Sequence, residues 1–350
     1  MGLNTKHGTI KYPAFFPDAT HAVIKGISTQ DILDSGTTGL VVNTYHAIVD
    51  KTVDIIEKCG GLHEFMGFNF PVITDSGGFQ AMSLIRRSPG NGKIIRDGIK
   101  FKIDGSRKSI TLTPENCIQT QAKLGADIMV CLDDCTDPGE SQKEQELSVA
   151  RTVAWAKRCK EEFQKIKKEK PLLFAIIQGG NSKELRKKCA EELIKIGFDG
   201  YAYGGWPVDG DGKFLDEIVE YSASLMPDGM PKYAMGIGKP EDIKKCVKMG
   251  YNMFDCVLPT RDARHKRLYV LNGSAEKGYE FVYMRAQKHE TDSNPVSDSC
   301  NCEVCKNHSR AYLYHLFKQG DSNAGRLATI HNLTFYSKLM EELHPLTLLR

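Results

Sequence analysis

Short apolar runs recur along the first 255 residues of the chain, and each one ends in glycine or in polar residues. Runs of this length, separated by longer amphipathic stretches, predict buried strands that alternate with helices. The pattern predicts eight strands, at residues 13–17, 39–42, 70–73, 128–132, 172–177, 199–203, 233–236 and 253–254. It predicts helices at residues 28–35, about 48–59, 113–124, 141–170, 184–196, 214–225 and 240–249.

Eight strand-then-helix units predict an α/β protein built as a closed (β/α)8 TIM barrel, whose functional residues lie at the carboxyl ends of the strands. An open doubly wound sheet gives a similar alternation, but no Gly-x-Gly-x-x-Gly follows the first strand. Residues 83–111 interrupt the pattern with closely spaced glycines and charges, so we expect inserted hairpins there. From about residue 276 the pattern changes to a helical tail that carries cysteine and histidine. We therefore predict a barrel domain over 1–275 and a C-terminal subdomain over 276–350.

Composition gives only limited information about the partners and the cellular compartment of the protein. The 350 residues carry a net charge of +3, so any nucleic acid must be bound through local basic clusters. No apolar run approaches the roughly 20 residues of a membrane helix, and we expect no membrane segment and no signal peptide. The 11 cysteines are odd in number and three of them are clustered, which favours a reducing, cytoplasmic setting and a metal site.

The densest local pattern is Cys300-x-Cys302-x-x-Cys305. Three thiolates hold zinc tetrahedrally when a fourth ligand comes from elsewhere. His308 is close along the chain, whereas His331 lies in a helical stretch that can fold back over the cysteines, and we favour His331. Four protein ligands leave no open position, so we predict a structural zinc site.

Acids, an amide and glycine pairs stand where the predicted strands end. Asp75 follows the third strand, Asp133-Asp134 follows the fourth and Asp255 follows the eighth. Gln178 follows the fifth strand and Gly204-Gly205 follows the sixth. Because strand ends meet on one face of a barrel, we expect these groups to form one site.

Taken singly, each of these residues has a simpler explanation. Asp255 is equally suited to capping a turn with Arg261 as its ion-pair partner, and one of Asp133 and Asp134 is expected to be a solvated cap. Several such residues on one face are harder to explain by capping alone. The convergence therefore favours a functional site.

The chemistry of these groups suits a planar, polar heterocycle attached to a sugar. A carboxylate accepts from the amidine-like edge of guanine, while an amide and a glycine N–H donate to its carbonyl. We expect Phe79 and Met235 to sandwich the ring. Two further acids at the sugar suit a nucleophile and an acid/base, as in retaining glycoside chemistry. The basic run that follows Asp255 suits a polyanionic substrate.

Several long motifs resemble the tRNA-guanine transglycosylases over nearly the whole chain. The motifs are N-T-Y-H (43–46), D-S-G-G-F-Q (75–80), D-D-C-T (133–136), I-Q-G (177–179), G-F-D-G-Y-A-x-G-G (197–205), M-G-I-G-K-P (235–240), F-D-C-V-L-P-T-R (254–261) and the cysteine cluster with His331. The resemblance implies a zinc-bearing TIM barrel that exchanges guanine at the wobble position of a tRNA anticodon for a 7-deazaguanine. It also implies a homodimer.

The resemblance assigns roles to the strand-end residues. Asp255 is the nucleophile on the ribose C1′ and forms a covalent glycosyl-enzyme, and Asp75 is the general acid/base. Arg261 and Arg264 hold the anticodon loop around a flipped-out nucleotide. The residues implied to bind the base are Asp133, Gln178, Gly205, Phe79, Met235, Trp206, Ser76 and Cys135.

The chain departs from the family pattern at Asp18 and at residues 204–210, and the second departure concerns the incoming base. Asp18 stands where members usually carry a small or apolar residue, and the bacterial Gly-Gly-Leu-Ala-Val-Gly-Glu is replaced by G-G-W-P-V-D-G at 204–210. Pro207 has no N–H, so the Trp206 carbonyl is the backbone group left to meet the 7-substituent. An acceptor there favours 7-aminomethyl-7-deazaguanine or queuine over the 7-cyano base.

Two other functions are compatible with the sequence. A paralogue that exchanges bases in DNA would share most of these motifs, although the intact Pro-Thr-Arg and the zinc tail favour RNA. A non-catalytic subunit that binds tRNA would be expected to lack the acids, yet Asp75 and Asp255 are both present.

Overall fold

The computed structural model describes residues 2–103, 108–137, 139–167 and 170–347. The strands in these residues are β1 (Gly2–Thr5), β2 (Gly8–Lys11), β3 (Ala14–Pro17), β4 (Leu40–Val42), β5 (Val72–Thr74), β6 (Gly92–Ile95), β7 (Gly98–Lys102), β8 (Ser109–Leu112), β9 (Ile128–Val130), β10 (Leu172–Ile177), β11 (Gly200–Tyr203), β12 (Lys232–Ala234), β13 (Met253–Cys256), β14 (Arg267–Leu271) and β15 (Tyr279–Tyr283). The α-helices are α1 (Thr29–Asp34), α2 (Thr44–Val49), α3 (Val53–Lys58), α4 (Leu62–Met66), α5 (Gly78–Arg87), α6 (Pro114–Leu124), α7 (Gln142–Phe163), α8 (Lys183–Ile196), α9 (Asp216–Leu225), α10 (Pro240–Met249), α11 (Leu258–Arg264), α12 (Glu303–Asn307), α13 (Arg310–Gln319) and α14 (Ser322–Thr347).

Eight parallel strands form a barrel in the order β3, β13, β12, β11, β10, β9, β5 and β4. A parallel bridge between Asp18 and Val41 joins the two ends of this sheet, and the N–H of Ala19 donates to the Val41 carbonyl over 2.8 Å. The predicted (β/α)8 barrel is confirmed. Each predicted barrel strand is present, with its ends within two residues of the prediction.

Alternation along the strands determines what faces the barrel interior. The interior core contains Ala14, Phe16, Val41, Ile73, Ile128, Val130, Phe174, Ile176, Ala202, Tyr233 and Met253. Five of these strands carry a polar residue two positions after their last core residue. These polar residues are Asp18, Asn43, Asp75, Gln178 and Asp255. The same period that builds the core therefore carries polar side chains to the carboxyl end of the barrel. The hairpin of β1 and β2, which the sequence analysis did not predict, adds Ile10 to this core at the opposite end.

The predicted helices are present, two of them with altered bounds, and the short helices α4, α5 and α11 were not predicted. In place of one helix over about 48–59 there are α2 and α3, divided near Lys51, which has φ of 57°. The helix predicted over 141–170 ends at Phe163. Residues 164–170 contain one apolar side chain, Ile166, so there is little to bury against the barrel; residues 168–169 lie outside the described part of the chain.

The insert begins later than predicted. Residues 83–87 are helical because they continue α5, whose Ala81 and Met82 pack with Phe101 of β7 in the core. The rest of the insert is an antiparallel sheet of β6, β7 and β8, as the hairpin prediction requires. Residues 104–107, between β7 and β8, are outside the described residues.

The C-terminal part is not entirely helical. Strands β14 and β15 pair in antiparallel register from Arg267 opposite Tyr283 to Leu271 opposite Tyr279, so the helical prediction from residue 276 is wrong for β15. The long helix α14 then crosses both regions, with Leu327 and Ile330 in a C-terminal core and Tyr336 in the barrel core. In the described residues no helix is long and apolar enough to cross a membrane.

Candidate active site

The side chains that face the barrel interior lead to a cavity of about 360 Å³ at the carboxyl ends of the strands. Both predicted catalytic acids and all the predicted base-binding residues line it: Asp255, Asp75, Asp133, Gln178, Gly205, Phe79, Met235, Trp206, Ser76 and Cys135. A wider groove beside α8 and α9 is lined by Lys183 and Glu217, which pair with each other at 2.5 Å, and it contains none of these residues.

Asp75 accepts hydrogen bonds from the end of the neighbouring strand β4 and from its own loop. The amide of Asn43 donates to its carboxylate over 2.6 Å, and the backbone N–H groups of Thr44 and Gly77 each donate over 3.0 Å. Burial nevertheless raises the pKa of Asp75 to about 7, and the negative charges of Asp18 and Asp255 act in the same direction. A carboxyl group with this pKa gains and loses a proton near neutral pH.

Asp255 lies on β13, which neighbours β3 and β12. Its carboxylate accepts the N–H of Gly236 over 2.9 Å, and burial raises its pKa to about 6. The sequence also suggests that Asp255 forms an ion pair with Arg261. In the described residues that ion pair does not form; the Arg261 side chain is half exposed and its Nε lies 4.0 Å from Asp262 instead. Asp255 thus faces the cavity without a cation beside it.

Asp133 and Gln178 form a hydrogen-bonded pair within the cavity. The Gln178 Nε2 donates to the Asp133 carboxylate over 2.6 Å. Burial raises the pKa of Asp133 to about 7, although the Gln178 hydrogen bond opposes this. Gly204 leaves room for the pair, since a Cβ there would lie 2.5 Å from the Gln178 Nε2, and Gly205 has φ of 99°, which favours glycine.

Asp134 corrects one sequence-based expectation, because neither acid of the Asp133-Asp134 pair is a solvated cap. Asp134 is fully buried and its carboxylate accepts from the Arg151 Nε over 2.5 Å. Its N–H donates to the Thr152 hydroxyl over 3.1 Å. Asp134 therefore anchors the strand end to α7 and leaves the cavity to Asp133.

Two exposed aromatic rings stand at the cavity mouth. Phe79 and Trp206 are 43% and 39% exposed, and their ring centroids are 5.8 Å apart at an interplanar angle of 58°. The Tyr203 hydroxyl donates to the Trp206 carbonyl over 3.1 Å, whereas the Pro207 carbonyl accepts from the N–H of Leu215 over 2.9 Å. The Trp206 carbonyl is thus held towards a cavity-lining side chain.

Arg186 is a residue that the sequence analysis missed. Its side chain is buried and donates to the carbonyls of Gly180 (2.8 Å), Ile177 (3.1 Å) and Gly204 (3.1 Å), while the guanidinium stacks 4.3 Å from the centroid of the Tyr203 ring. It therefore ties together the two loops that carry the glutamine and the glycine pair. Nothing in the Leu-Arg-Lys-Lys sequence distinguishes it from an exposed helical arginine. Asn43, by contrast, was visible as a polar strand-end residue.

Basic side chains flank the cavity on α11. Arg261 and Arg264 are exposed, and neither lines the cavity itself. They are carried directly after Asp255 because β13 is followed by α11 after a single residue, Val257. Arg264 is close enough to Asp18, a residue of the cavity, for its charge to lower the Asp18 pKa.

A second cluster joins α12 and the loop before it to α14. The ligand atoms of Cys300, Cys302, Cys305 and His331 lie within 4.8 Å of one another, and the His331 Nδ1 is 3.3 Å from the Cys305 sulfur. The His331 Nε2 is 2.8 Å from the Tyr269 carbonyl, which fixes Nδ1 as the atom free for a metal. His308 is outside this cluster and stacks on Tyr312.

These features define an α/β barrel enzyme with two carboxylates in one cavity, the type of site that glycosyl transfer uses. A family model described as queuine tRNA-ribosyltransferase matches residues 2–345. Proteins named queuine tRNA-ribosyltransferase from Idiomarina loihiensis and a Psychrobacter species are each 40% identical, and one from Shewanella sediminis is 39% identical. The alignments cover 97% of this chain and 86–87% of those proteins. The chain belongs to the queuine tRNA-ribosyltransferase family, which confirms the resemblance of its motifs.

Proposed function

We propose that this protein is a tRNA-guanine transglycosylase that exchanges guanine at the anticodon wobble position for a 7-deazaguanine. The observation that carries the proposal is one cavity that contains Asp75 and Asp255 with pKa values raised to about 7 and about 6. Family membership supports the same reaction, because the relatives are named for it.

The two acids suit two displacements at C1′. Asp255, the more acidic of the two, is ionised at neutral pH and attacks C1′, so that the bond to guanine breaks as a bond to the carboxylate forms. Asp75 gives a proton to the departing guanine and later takes one from the incoming base. The second attack at C1′ releases Asp255 and retains the configuration of the sugar.

The cavity offers complementary groups for the base. Asp133 accepts from the ring N–H and the exocyclic amine, while Gln178 and the Gly205 N–H donate to the carbonyl. Phe79 and Met235 stack on the two faces of the ring. Ser76 and Cys135 complete the lining of the cavity around the base.

The Trp206-Pro207 loop selects the 7-substituent. The Pro207 nitrogen carries no hydrogen, and the Trp206 carbonyl keeps one lone pair beyond its bond to Tyr203. A substituent that donates is therefore preferred, as in 7-aminomethyl-7-deazaguanine or queuine. The 7-cyano base only accepts, and the missing charge-assisted hydrogen bond lowers its kcat/KM by about 10- to 100-fold. Equal use of the cyano and aminomethyl bases would contradict this selectivity.

The polynucleotide is tRNA. Arg261 and Arg264 bind phosphates of the anticodon loop while the wobble nucleotide is turned out into the cavity. The protein acts as a homodimer in the cytoplasm, where tRNA is found. Its cysteines are all free thiols in the structure, which fits a reducing compartment.

The C-terminal cluster fits a structural zinc ion. The His331 Nδ1 is 3.6 Å from the Cys302 sulfur and 3.3 Å from the Cys305 sulfur, close to the roughly 3.5–3.8 Å spacing of ligands around tetrahedral zinc. Cys300, Cys302, Cys305 and His331 would hold the metal, which would stabilise a C-terminal subdomain over 276–350 against the barrel. No open coordination position remains, so the metal takes no part in the reaction.

The direct test is exchange by the purified chain alone. The protein is incubated with labelled guanine and either bulk tRNA or duplex DNA, and the label in each polymer is counted. Label in tRNA supports the proposal, label in DNA would indicate a DNA-directed paralogue, and label in neither would indicate a binding subunit. Competition among 7-deazaguanines, measured by nucleoside mass spectrometry of the tRNA, then identifies the base.

A further inference from the structure

Asp18 is an acid of the cavity to which the family resemblance gives no role. It follows β3 directly and continues the inward-facing row of Ala14 and Phe16. Because Phe16 lies opposite Asp255 in the pairing of β3 with β13, Asp18 stands on the strand beside Asp255 and two residues nearer the mouth. Asp18 lines the same cavity as Asp255.

The Asp18 carboxylate lacks a full set of donors within the protein. Its Oδ1 accepts from the Thr20 hydroxyl over 2.6 Å, and the Thr20 backbone N–H also stabilises it. His46 and Arg264 lie near enough to lower its pKa, but burial outweighs them and the net pKa is raised. No lysine or arginine of the described residues is close enough to form an ion pair with it. Its negative charge acts on both Asp75 and Asp255. The ionised form of a third acid is unfavourable beside two other acids, unless a ligand donates a hydrogen bond to it.

The geometry identifies where that donor would be. If Asp255 attacks C1′, the sugar lies over Asp255 and extends towards the mouth. Two residues along a strand span about 6–7 Å and neighbouring strands are about 4.8 Å apart, so Asp18 faces the edge of this sugar. In a polynucleotide the 3′ and 5′ oxygens are esterified, which leaves the 2′-hydroxyl as the only donor of a ribose and leaves none on a deoxyribose.

We propose that Asp18 accepts a hydrogen bond from the 2′-hydroxyl of the nucleotide whose base is exchanged, and so selects RNA over DNA at this nucleotide. The proposal rests on the transglycosylase function. It makes Asp18 a specificity residue that touches the substrate, in addition to Asp75 and Asp255. The 2′-hydroxyl is the group by which proteins distinguish the two polymers.

The test compares two RNA hairpins of one anticodon-loop sequence, which differ only in a 2′-hydroxyl or a 2′-hydrogen at the exchanged nucleotide. The ratio of kcat/KM for ribo over deoxy is measured for the wild type and for Asp18→Val. Comparing the two enzymes cancels the intrinsic reactivity of the deoxy sugar. We expect the ratio to fall by about 10- to 100-fold in the variant, the effect of one hydrogen bond to a charged group.

An unchanged ratio in Asp18→Val would overturn the proposal. A purely electrostatic role for Asp18 would shift the pH profile equally on both hairpins and would also leave the ratio unchanged. Asp50→Asn is the matched control, an exposed acid that pairs with His21 over 2.8 Å outside the cavity, and it should keep the wild-type ratio. If Asp18→Val fails to fold, the ratio of Asp18→Asn must fall at least several-fold. Failure of the wild type to label either hairpin would instead refute the transglycosylase function.

Discussion

Replacement of Arg186 by methionine should weaken both the fold and base binding. Arg186 is 1% exposed and donates to three backbone carbonyls at 2.8, 3.1 and 3.1 Å. Methionine keeps much of the stem that packs in the core, but it leaves the carbonyls of Gly180 and Gly204 without this donor. The Ile177 carbonyl keeps a hydrogen bond from the Gly204 N–H at 3.0 Å. The effect is therefore a loss of hydrogen bonds rather than the opening of a large cavity.

The magnitude follows from these contacts. A buried carbonyl left unsatisfied costs about 1–3 kcal/mol, and this applies in full to Gly204 and in part to Gly180, which is half-buried. The sum still overstates the change because methionine avoids the cost of burying a guanidinium. We expect the free energy of unfolding to fall by about 2 kcal/mol. Because two of the carbonyls belong to Gly180 and Gly204, beside the loops of Gln178 and Gly205, the KM for the incoming base should also rise.

Urea unfolding and exchange kinetics test both effects. Lys187→Met is the matched control, since Lys187 is exposed on the same helix and its nearest acid, Glu191, is 3.8 Å away. Such a surface pair contributes about 0–1 kcal/mol, so the control should stay close to the wild type. If Arg186→Met unfolds at the same urea concentration as Lys187→Met and has the same KM for the base, the role assigned to Arg186 is wrong.

Three further predictions concern the acids and the metal cluster. Asp255→Asn should abolish exchange while tRNA binding survives, and the denaturant-stable protein–RNA adduct of the wild type should disappear; turnover near the wild-type rate would contradict the mechanism. The kcat/KM should rise as Asp255 ionises near pH 6 and fall as Asp75 loses its proton near pH 7, so a pH profile should peak between these values; activity that continues to rise above pH 8 would contradict the assignment of the acid. Cys302→Ser and His331→Ala should lose zinc and lower the thermal midpoint, whereas His308→Ala should retain zinc by metal analysis; a wild type purified without metal would refute the site.

Much of the site could be predicted because it continues the periodicity of the strands. Asp75, Gln178 and Asp255 each stand two residues beyond an inward-facing core residue, and the apolar runs before them are visible in the sequence. Once the strands pair in the barrel, these residues come together at its carboxyl end, so the strand pattern alone is enough to predict the site. The cysteine spacing identified the second cluster in the same local way.

The features that were missed depend on contacts between distant parts of the chain. The buried Arg186 side chain donates to the carbonyl of Gly204, which is 18 residues away in the sequence. The pattern of a single helix does not reveal such a contact. Residues 83–87 were expected in the inserted hairpins, yet they continue α5 because Ala81 and Met82 pack against the inserted sheet. Residues 279–283 were assigned to a helical tail, although their alternation is that of a strand, and pairing with β14 decides the outcome.

The two proposed catalytic acids differ because their surroundings supply different numbers of charges and donors. Asp75 feels the charges of both Asp18 and Asp255, and its pKa reaches about 7 in spite of its backbone donors. For Asp255 the opposing charge comes from Asp18, and the Gly236 N–H limits the rise to about 6. Between these values one acid is ionised and the other keeps its proton, which is the state that the first displacement requires. Burial raises the pKa of Asp18 as well, so Asp18 acts on the other two acids in proportion to its own ionisation. Removing the Asp18 charge should therefore lower the pKa values of both Asp75 and Asp255.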